Sequence, residues 1–290
     1  MNEGRFPDFV IIGAMKAATS TLYMQLAAQP GIFMASPKEP NFFSDPDQWA
    51  RGPDWYRSLF AAAPADALCG EASTHYTKLP TYPDALPRLR AAVPGARLIY
   101  IMRHPIDRLI SHYRHGWLER SISGPIDLAI DRHPEMIDYG RYAMQIVPWL
   151  DAFGPDRILP VFMERIIADP QEEFERLCRF LGYATSPVWD ETIATQNIST
   201  ERLRDSPWRD RIIDNPAAAW LRRTLVPPTI RKHIKRVWQM RTRPIIGPAQ
   251  RDRLTTLFDE DLERLGAMLG TALDCATFTS TVRQHQLDWI

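Results

Sequence analysis

The amino-acid sequence predicts a three-layer α/β/α domain around a mostly parallel central sheet. Three observations carry that prediction. Short apolar runs of strand character alternate with helical patterns through the first two thirds of the 290 residues. One run, Leu98-Ile99-Tyr100-Ile101-Met102, is apolar without a break, as expected of a parallel strand covered on both faces. Another, Phe9-Val10-Ile11-Ile12, stops at Gly13 and leads through a short loop into a helical pattern, the order of a strand–turn–helix unit.

Taken in chain order, strands are expected at 9–14, 32–34, 67–71, 97–102 and 158–164, and helices at 20–28, 54–61, 82–92, 105–120, 141–153 and 170–181. Pro105 and Pro170 stand where a first helical turn tolerates proline, Asp169 is a suitable N-cap, and Gly182 a suitable stop. From 183 to 247 the pattern changes to Pro, Arg and Trp with short helical pieces, including Trp189, Trp208, Trp220 and Trp238. This reads as an irregular lobe or lid on a single domain spanning 1–290. A last helix at 248–269 is expected to close the fold.

Hydrophobic residues make up 45% and charged residues 24%, the balance of a soluble globular protein. Lys+Arg and Asp+Glu are equal at 35 each, so no bulk attraction to nucleic acid is indicated and any anion site must be local. Cys69, Cys178 and Cys275 are far apart, with neither metal-ligand spacing nor a disulfide framework. No basic segment followed by an apolar core opens the chain, and no apolar run approaches the roughly 20 residues of a membrane span. The expectation is a cytoplasmic protein without a membrane span and without a metal cofactor.

The segment Gly13-Ala14-Met15-Lys16-Ala17-Ala18-Thr19-Ser20-Thr21 has the makings of an anion cradle. Small residues let the backbone approach a ligand, and the helix that follows offers unpaired N–H groups and the positive end of its dipole. Lys16 adds a point charge, and Thr19, Ser20 and Thr21 add hydroxyls. The Walker pattern requires glycine before its lysine and Ser/Thr after it, where this chain has Met15 and Ala17. The dinucleotide fingerprint requires three glycines, and only Gly13 is present. The plain alternative is a strand–turn–helix unit with an exposed lysine and a Ser/Thr cap.

A second segment, Arg103-His104-Pro105 followed by Ser111, again puts a cation at a strand end and a hydroxyl about two turns into the next helix. Ligands of open α/β sheets bind beyond the carboxyl ends of strands. Two basic strand ends suit a ligand with two separated anionic groups; the alternative for Arg103 is a nearby carboxylate. In Lys38-Glu39-Pro40-Asn41-Phe42-Phe43 a lysine–glutamate pair is stiffened by proline and anchored by aromatics. Glu39 against an apolar wall is expected to have a raised pKa and to suit a general base; a salt bridge between neighbours is the alternative. In Glu71-Ala72-Ser73-Thr74-His75, Glu71 and His75 are further acid–base or substrate-orienting candidates. Gly140-Arg141-Tyr142 presents a tyrosine either to a cofactor or to the core.

In this order the motifs resemble the sulfotransferases that use 3′-phosphoadenosine 5′-phosphosulfate (PAPS), in the branch of the heparan sulfate sulfotransferases and their bacterial relatives. The resemblance implies a P-loop-type sulfotransferase fold, with Lys16, Ala17, Ala18, Thr19, Ser20 and Thr21 holding the 5′-phosphosulfate. It implies Arg103 and Ser111 on the 3′-phosphate, Lys38 and Glu39 in the loop that carries the catalytic glutamate, and Tyr142 beside the cofactor. Lys16 and Glu39, with His75, are then the catalytic residues, and Lys38, Glu71 and His75 face the acceptor. PAPS is the implied donor and adenosine 3′,5′-bisphosphate (PAP) the product. The implied reaction is in-line transfer to a hydroxyl or amine of a small molecule or glycan, without a metal. The family's lysine after the residue matching Glu71 is Ala72 here, and Lys78 or His75 is left to compensate. Arg202, Arg204, Arg209 and Arg211 are unassigned candidates for a nucleotide clamp. Two other readings remain: a small-molecule kinase with a degenerate phosphate loop, and a nucleotide-binding protein without catalysis.

Overall fold

The structure, a computed structural model, describes residues 4–193 and 243–290. Residues 194–242 of the expected lobe lie outside the described part, as do Trp208, Trp220, Trp238 and the four candidate clamp arginines. Five strands form one sheet: β1 (Phe9–Gly13), β2 (Ile32–Met34), β3 (Leu68–Ala72), β4 (Arg97–Met102) and β5 (Ile158–Phe162). Their spatial order is β2-β3-β1-β4-β5, and every pairing is parallel. β1 and β5 are buried along their whole length, as the unbroken apolar runs require.

Helices cover the sheet. They are α1 (Thr19–Ala27), α2 (Pro46–Trp49), α3 (Gly52–Ser58), α4 (Ala85–Ala92), α5 (Pro105–Glu119), α6 (Ile126–Arg132), α7 (Glu135–Asp138), α8 (Tyr142–Phe153), α9 (Met163–Ala168), α10 (Pro170–Leu181), α11 (Pro248–Met268) and α12 (Phe278–Gln284). Gly182 stops α10 at φ 75°, where a Cβ would stand 2.9 Å from Arg97. Asp169 precedes α10, but its side chain makes no capping bond. The strand expected to reach residue 164 ends at Phe162, because Met163 already starts α9. α11 does not close the fold: α12 follows, and the chain end docks behind it through Trp289 Nε1, which donates to Ile158 O at 2.8 Å.

The loops after the strands are laced to their neighbours, and this lacing builds the site. Ala35 N donates to Gly70 O (2.8 Å) and Glu39 N to Ala72 O (3.0 Å), tying the β2 loop to β3. Ser73 N donates to Ile11 O at 3.1 Å, and Ala14 N to Ile101 O at 2.7 Å. The chain leaves β1 towards β2 on one side, and β4 towards β5 on the other. The crevice at this switch, between the ends of β1 and β4, is where an open parallel sheet receives ligands.

Candidate functional site

The loop after β1 is shaped by its backbone. Gly13 is required there: a Cβ would lie 1.9 Å from Thr77 Oγ1, which donates to Ile12 O at 2.8 Å. Lys16 (φ 68°) and Ala18 (φ 69°) both take the left-handed conformation that non-glycine residues avoid. Glu39 (φ 60°) and Asn41 (φ 51°) do the same in the loop after β2. A fifth case, Arg120, is a helix C-cap, so the other four fall in the two loops at the carboxyl edge of the sheet. Strained backbone of this kind collects at ligand sites. Ala18 occupies the N-cap position of α1 without a side-chain cap, leaving the first amides for a ligand. Ala17 and Thr19 are buried, Lys16 and Thr21 half-buried, and Ser20 exposed.

Arg103 meets this loop directly, with Nη1 donating to Lys16 O at 3.3 Å. The two basic strand ends singled out in the sequence are thus neighbours across the switch-point crevice. Tyr142 does not reach the crevice. It is fully buried, its hydroxyl donates to Arg103 O (2.6 Å) and accepts from Arg103 N (3.2 Å), and it fixes the end of β4. His104 N donates to Glu164 Oε1 at 2.8 Å, which fixes the next residue. Ser111 is half-buried on α5.

At the carboxyl ends of β2 and β3 stands a second group of side chains. Glu39 Oε1 pairs with Lys38 Nζ at 2.6 Å, and Thr74 Oγ1 lies 3.3 Å from both carboxylate oxygens. The expected rise in the Glu39 pKa is not what the surroundings produce. Burial pushes it up, but the Lys38 ammonium, with Lys78 and His75 behind it, overrides this and holds it below the ordinary carboxylate value. Glu39 is a firmly ionised carboxylate. His75 stacks on Tyr82 (4.6 Å between centroids), and burial and the Lys78 charge push its pKa down to about 4. At neutral pH it is uncharged.

Glu71 stands beneath that group rather than in it. It is fully buried and accepts from Tyr76 OH (2.7 Å), Ser73 Oγ (2.8 Å) and Tyr56 OH (3.1 Å), so it has no surface for the acceptor contact expected of it. Burial raises its pKa to about 7, against those three hydroxyls, which pull it down. Ser73 Oγ in turn accepts from Asn41 N at 3.1 Å, and Phe42 and Phe43 pack on Tyr56 at 4.6 and 5.0 Å. The buried glutamate therefore anchors the loop that carries Glu39. Its setting was available in the sequence, as a single carboxylate in an otherwise apolar strand.

Two further basic residues are buried nearby, and Arg108 was given no role in the sequence. Lys78, named only as a possible substitute, is buried at 6% exposure with its ammonium 5.5 Å from the Tyr139 ring. Arg108 is fully buried on α5 and donates to Met136 O. Among the described residues, no group of three or more His, Cys, Asp or Glu is arranged to hold a metal ion, and no helix is long and apolar enough to cross a membrane.

The parallel sheet, the strained loop before α1 and the basic end of β4 define an α/β protein of the P-loop-like kind. Comparison with known proteins narrows the class. Residues 57–187 match the Sulfotransferase family. The human heparan sulfate glucosamine 3-O-sulfotransferase 6 is 32% identical over 199 residues, covering 61% of this chain and 53% of its own length, so the chain spans about half of that relative. The crystal structure of a sulfotransferase from Alicyclobacillus acidocaldarius matches with a TM-score of 0.66 at 24% identity, over 93% of this chain and 98% of that one. Mouse sulfotransferase SULT7A1, crystallised with PAP, matches with a TM-score of 0.51 at 13% identity, over 90% of this chain and 85% of its own. The fold is that of the sulfotransferases, and the sequence is similar to theirs over residues 57–187.

Proposed function

We propose that this protein transfers the sulfuryl group of PAPS to a hydroxyl or amine of a glycan or related small acceptor. The observation that carries this reading is the meeting of Arg103 with the Lys16 loop across the crevice, with Glu39 held ionised in the loop after β2. Two cations at separate strand ends suit a donor with phosphates at two positions; a nucleotide triphosphate presents its charge in one chain. In this reading Lys16 and the first amides of α1 stabilise the charge that grows on the departing 5′-phosphate. Arg103, held by Tyr142, binds the 3′-phosphate together with Ser111. Glu39 accepts the acceptor's proton, with Thr74 and Lys38 orienting its carboxylate. His75, neutral and stacked on Tyr82, faces the acceptor. The glycan class rests on the heparan sulfate relative, and a cytoplasmic location on the three free thiols.

Calorimetric titration with PAP, ATP and NAD tests the donor. PAP is expected to bind and the others not, and preference for ATP would restore the kinase reading. Label transfer from PAPS to a panel of sugars, amines and phenols tests the acceptor, and labelled sugars are the expected product. A chain that binds PAP but labels no acceptor on the panel would favour a non-catalytic role.

A further inference from the structure

The donor loop holds a backbone conformation that its own residues do not favour. Lys16 sits at φ 68°, where residues other than glycine are strained. Ala17 N donates back to Ala14 O at 3.2 Å, and Ala14 N donates to Ile101 O at 2.7 Å, so one tie of this turn runs to β4 through the backbone. The other tie is a side chain, Arg103, whose Nη1 donates to Lys16 O at 3.3 Å. The peptide between Lys16 and Ala17 is therefore held on both sides, its N–H by Ala14 and its C=O by Arg103. Arg103 is itself fixed. Its N–H and C=O both bond the Tyr142 hydroxyl, at 3.2 and 2.6 Å, and the next amide, His104 N, donates to Glu164 Oε1 at 2.8 Å. Tyr142 opens α8, whose Ala143 N and Met144 N donate to the buried Asp261 at 2.9 and 3.1 Å. A guanidinium carries five N–H groups in a rigid fork. Among the described residues the Arg103 side chain makes only the hydrogen bond to Lys16 O, which leaves most of the fork for a phosphate.

We propose that Arg103 is a brace as well as a phosphate ligand: it holds the Lys16 peptide in place for the 5′ end of the donor while the rest of its fork takes the 3′-phosphate. The inference rests on the donor reading above and adds a link between the two ends of the donor. One side chain touches both, so a 3′-phosphate that immobilises the guanidinium also stiffens the loop that meets the 5′-phosphosulfate. At the 5′ end Arg103 is a positioning residue, acting through Lys16. A lysine in its place would supply a point charge without the fork.

Hydrogen exchange of the full-length chain reads the loop with no donor present. Arg103→Met is expected to speed exchange of the Ala17 amide by about two- to tenfold, the scale of one neutral hydrogen bond, and to leave the amides of β3 and β5 unchanged. Adenosine 3′-monophosphate carries no 5′-phosphate with which to touch the loop. At saturation it is expected to slow Ala17 exchange in the unsubstituted chain, whereas adenosine is not. If Arg103→Met does not fold, Tyr142→Phe, which keeps the guanidinium but frees its backbone, is expected to speed the same amide. An Ala17 amide indifferent to the substitution, or indifferent to bound adenosine 3′-monophosphate, overturns the inference, while calorimetric binding of PAP keeps the donor reading intact. Faster exchange that spreads to β3 and β5 overturns it as well, as loosening of the whole sheet. A chain that binds neither PAP nor adenosine 3′-monophosphate overturns the donor reading and the link with it; faster Ala17 exchange in Arg103→Met would still establish the brace.

Discussion

Glu39 and Glu71 lie on adjoining segments, and the fold treats them in opposite ways. Glu39 is half-exposed and faces Lys38, Lys78 and His75, and its pKa falls. Glu71 is fully buried among Tyr56, Tyr76 and Ser73, and its pKa rises to about 7. Both pay the same kind of desolvation penalty. What differs is the partner: an ammonium stabilises a carboxylate by charge, whereas hydroxyls only partly replace the lost water. The region around Glu39 is thus built to keep a charge near a ligand. The region around Glu71 is built to hold a loop.

The comparison can be broken most sharply at Glu39. Glu39→Gln should leave PAP affinity and melting temperature near those of the parent and cut PAPS-dependent label transfer by a factor on the order of 10² to 10⁴, the range of general-base effects. Unchanged turnover would remove Glu39 from the base role. The next largest effect is expected beneath it. Glu71→Ala strips acceptors from three buried hydroxyls and should cost about 3 kcal/mol or more in chemical denaturation. Ser73→Ala removes one of those donors and frees the Asn41 amide, for about 1–2 kcal/mol, together with a rise in KM as the Glu39 loop loosens.

Two smaller effects concern pH. Because the folded pKa of Glu71 is raised, the native state holds a proton that the unfolded chain has released between pH 4.5 and about 7. The stability this gives is full below 4.5 and lost as the pH rises through 7. Glu71→Gln should flatten that decline in melts taken across the window. Lys38→Met should move the acidic limb of the transfer rate to higher pH, because Glu39 then loses its strongest stabilising charge. A limb that stays in place would assign it to another group.

The sheet was legible because each strand is a short apolar run, and burial on both faces leaves polar residues little place in it. The helices α5 and α10 were legible from proline in their first turns, and the end of α10 from Gly182. α2, α6, α7, α9 and α12 were missed: they are four to seven residues long and carry too few turns for a periodic pattern. In the site, Lys16, Arg103 and Glu39 stood out because each sits in a local pattern with its own physical meaning. Tyr142 and Glu71 were read as ligand contacts because a sequence does not say whether a side chain near the end of a strand or helix faces the crevice or the core.

The sequence alone thus determined the order of the strands and of the longer helices, the cradle after β1 and the cation at the end of β4. These follow from neighbours within a few residues, where hydrophobic period, glycine and proline act directly. The tertiary structure decided the rest: that Arg103 touches the Lys16 loop, that Glu39 is charged and Glu71 hidden, and that Lys78 is buried. Charge, burial and pKa depend on groups tens of residues away in the chain, and only folding brings those groups within reach of one another.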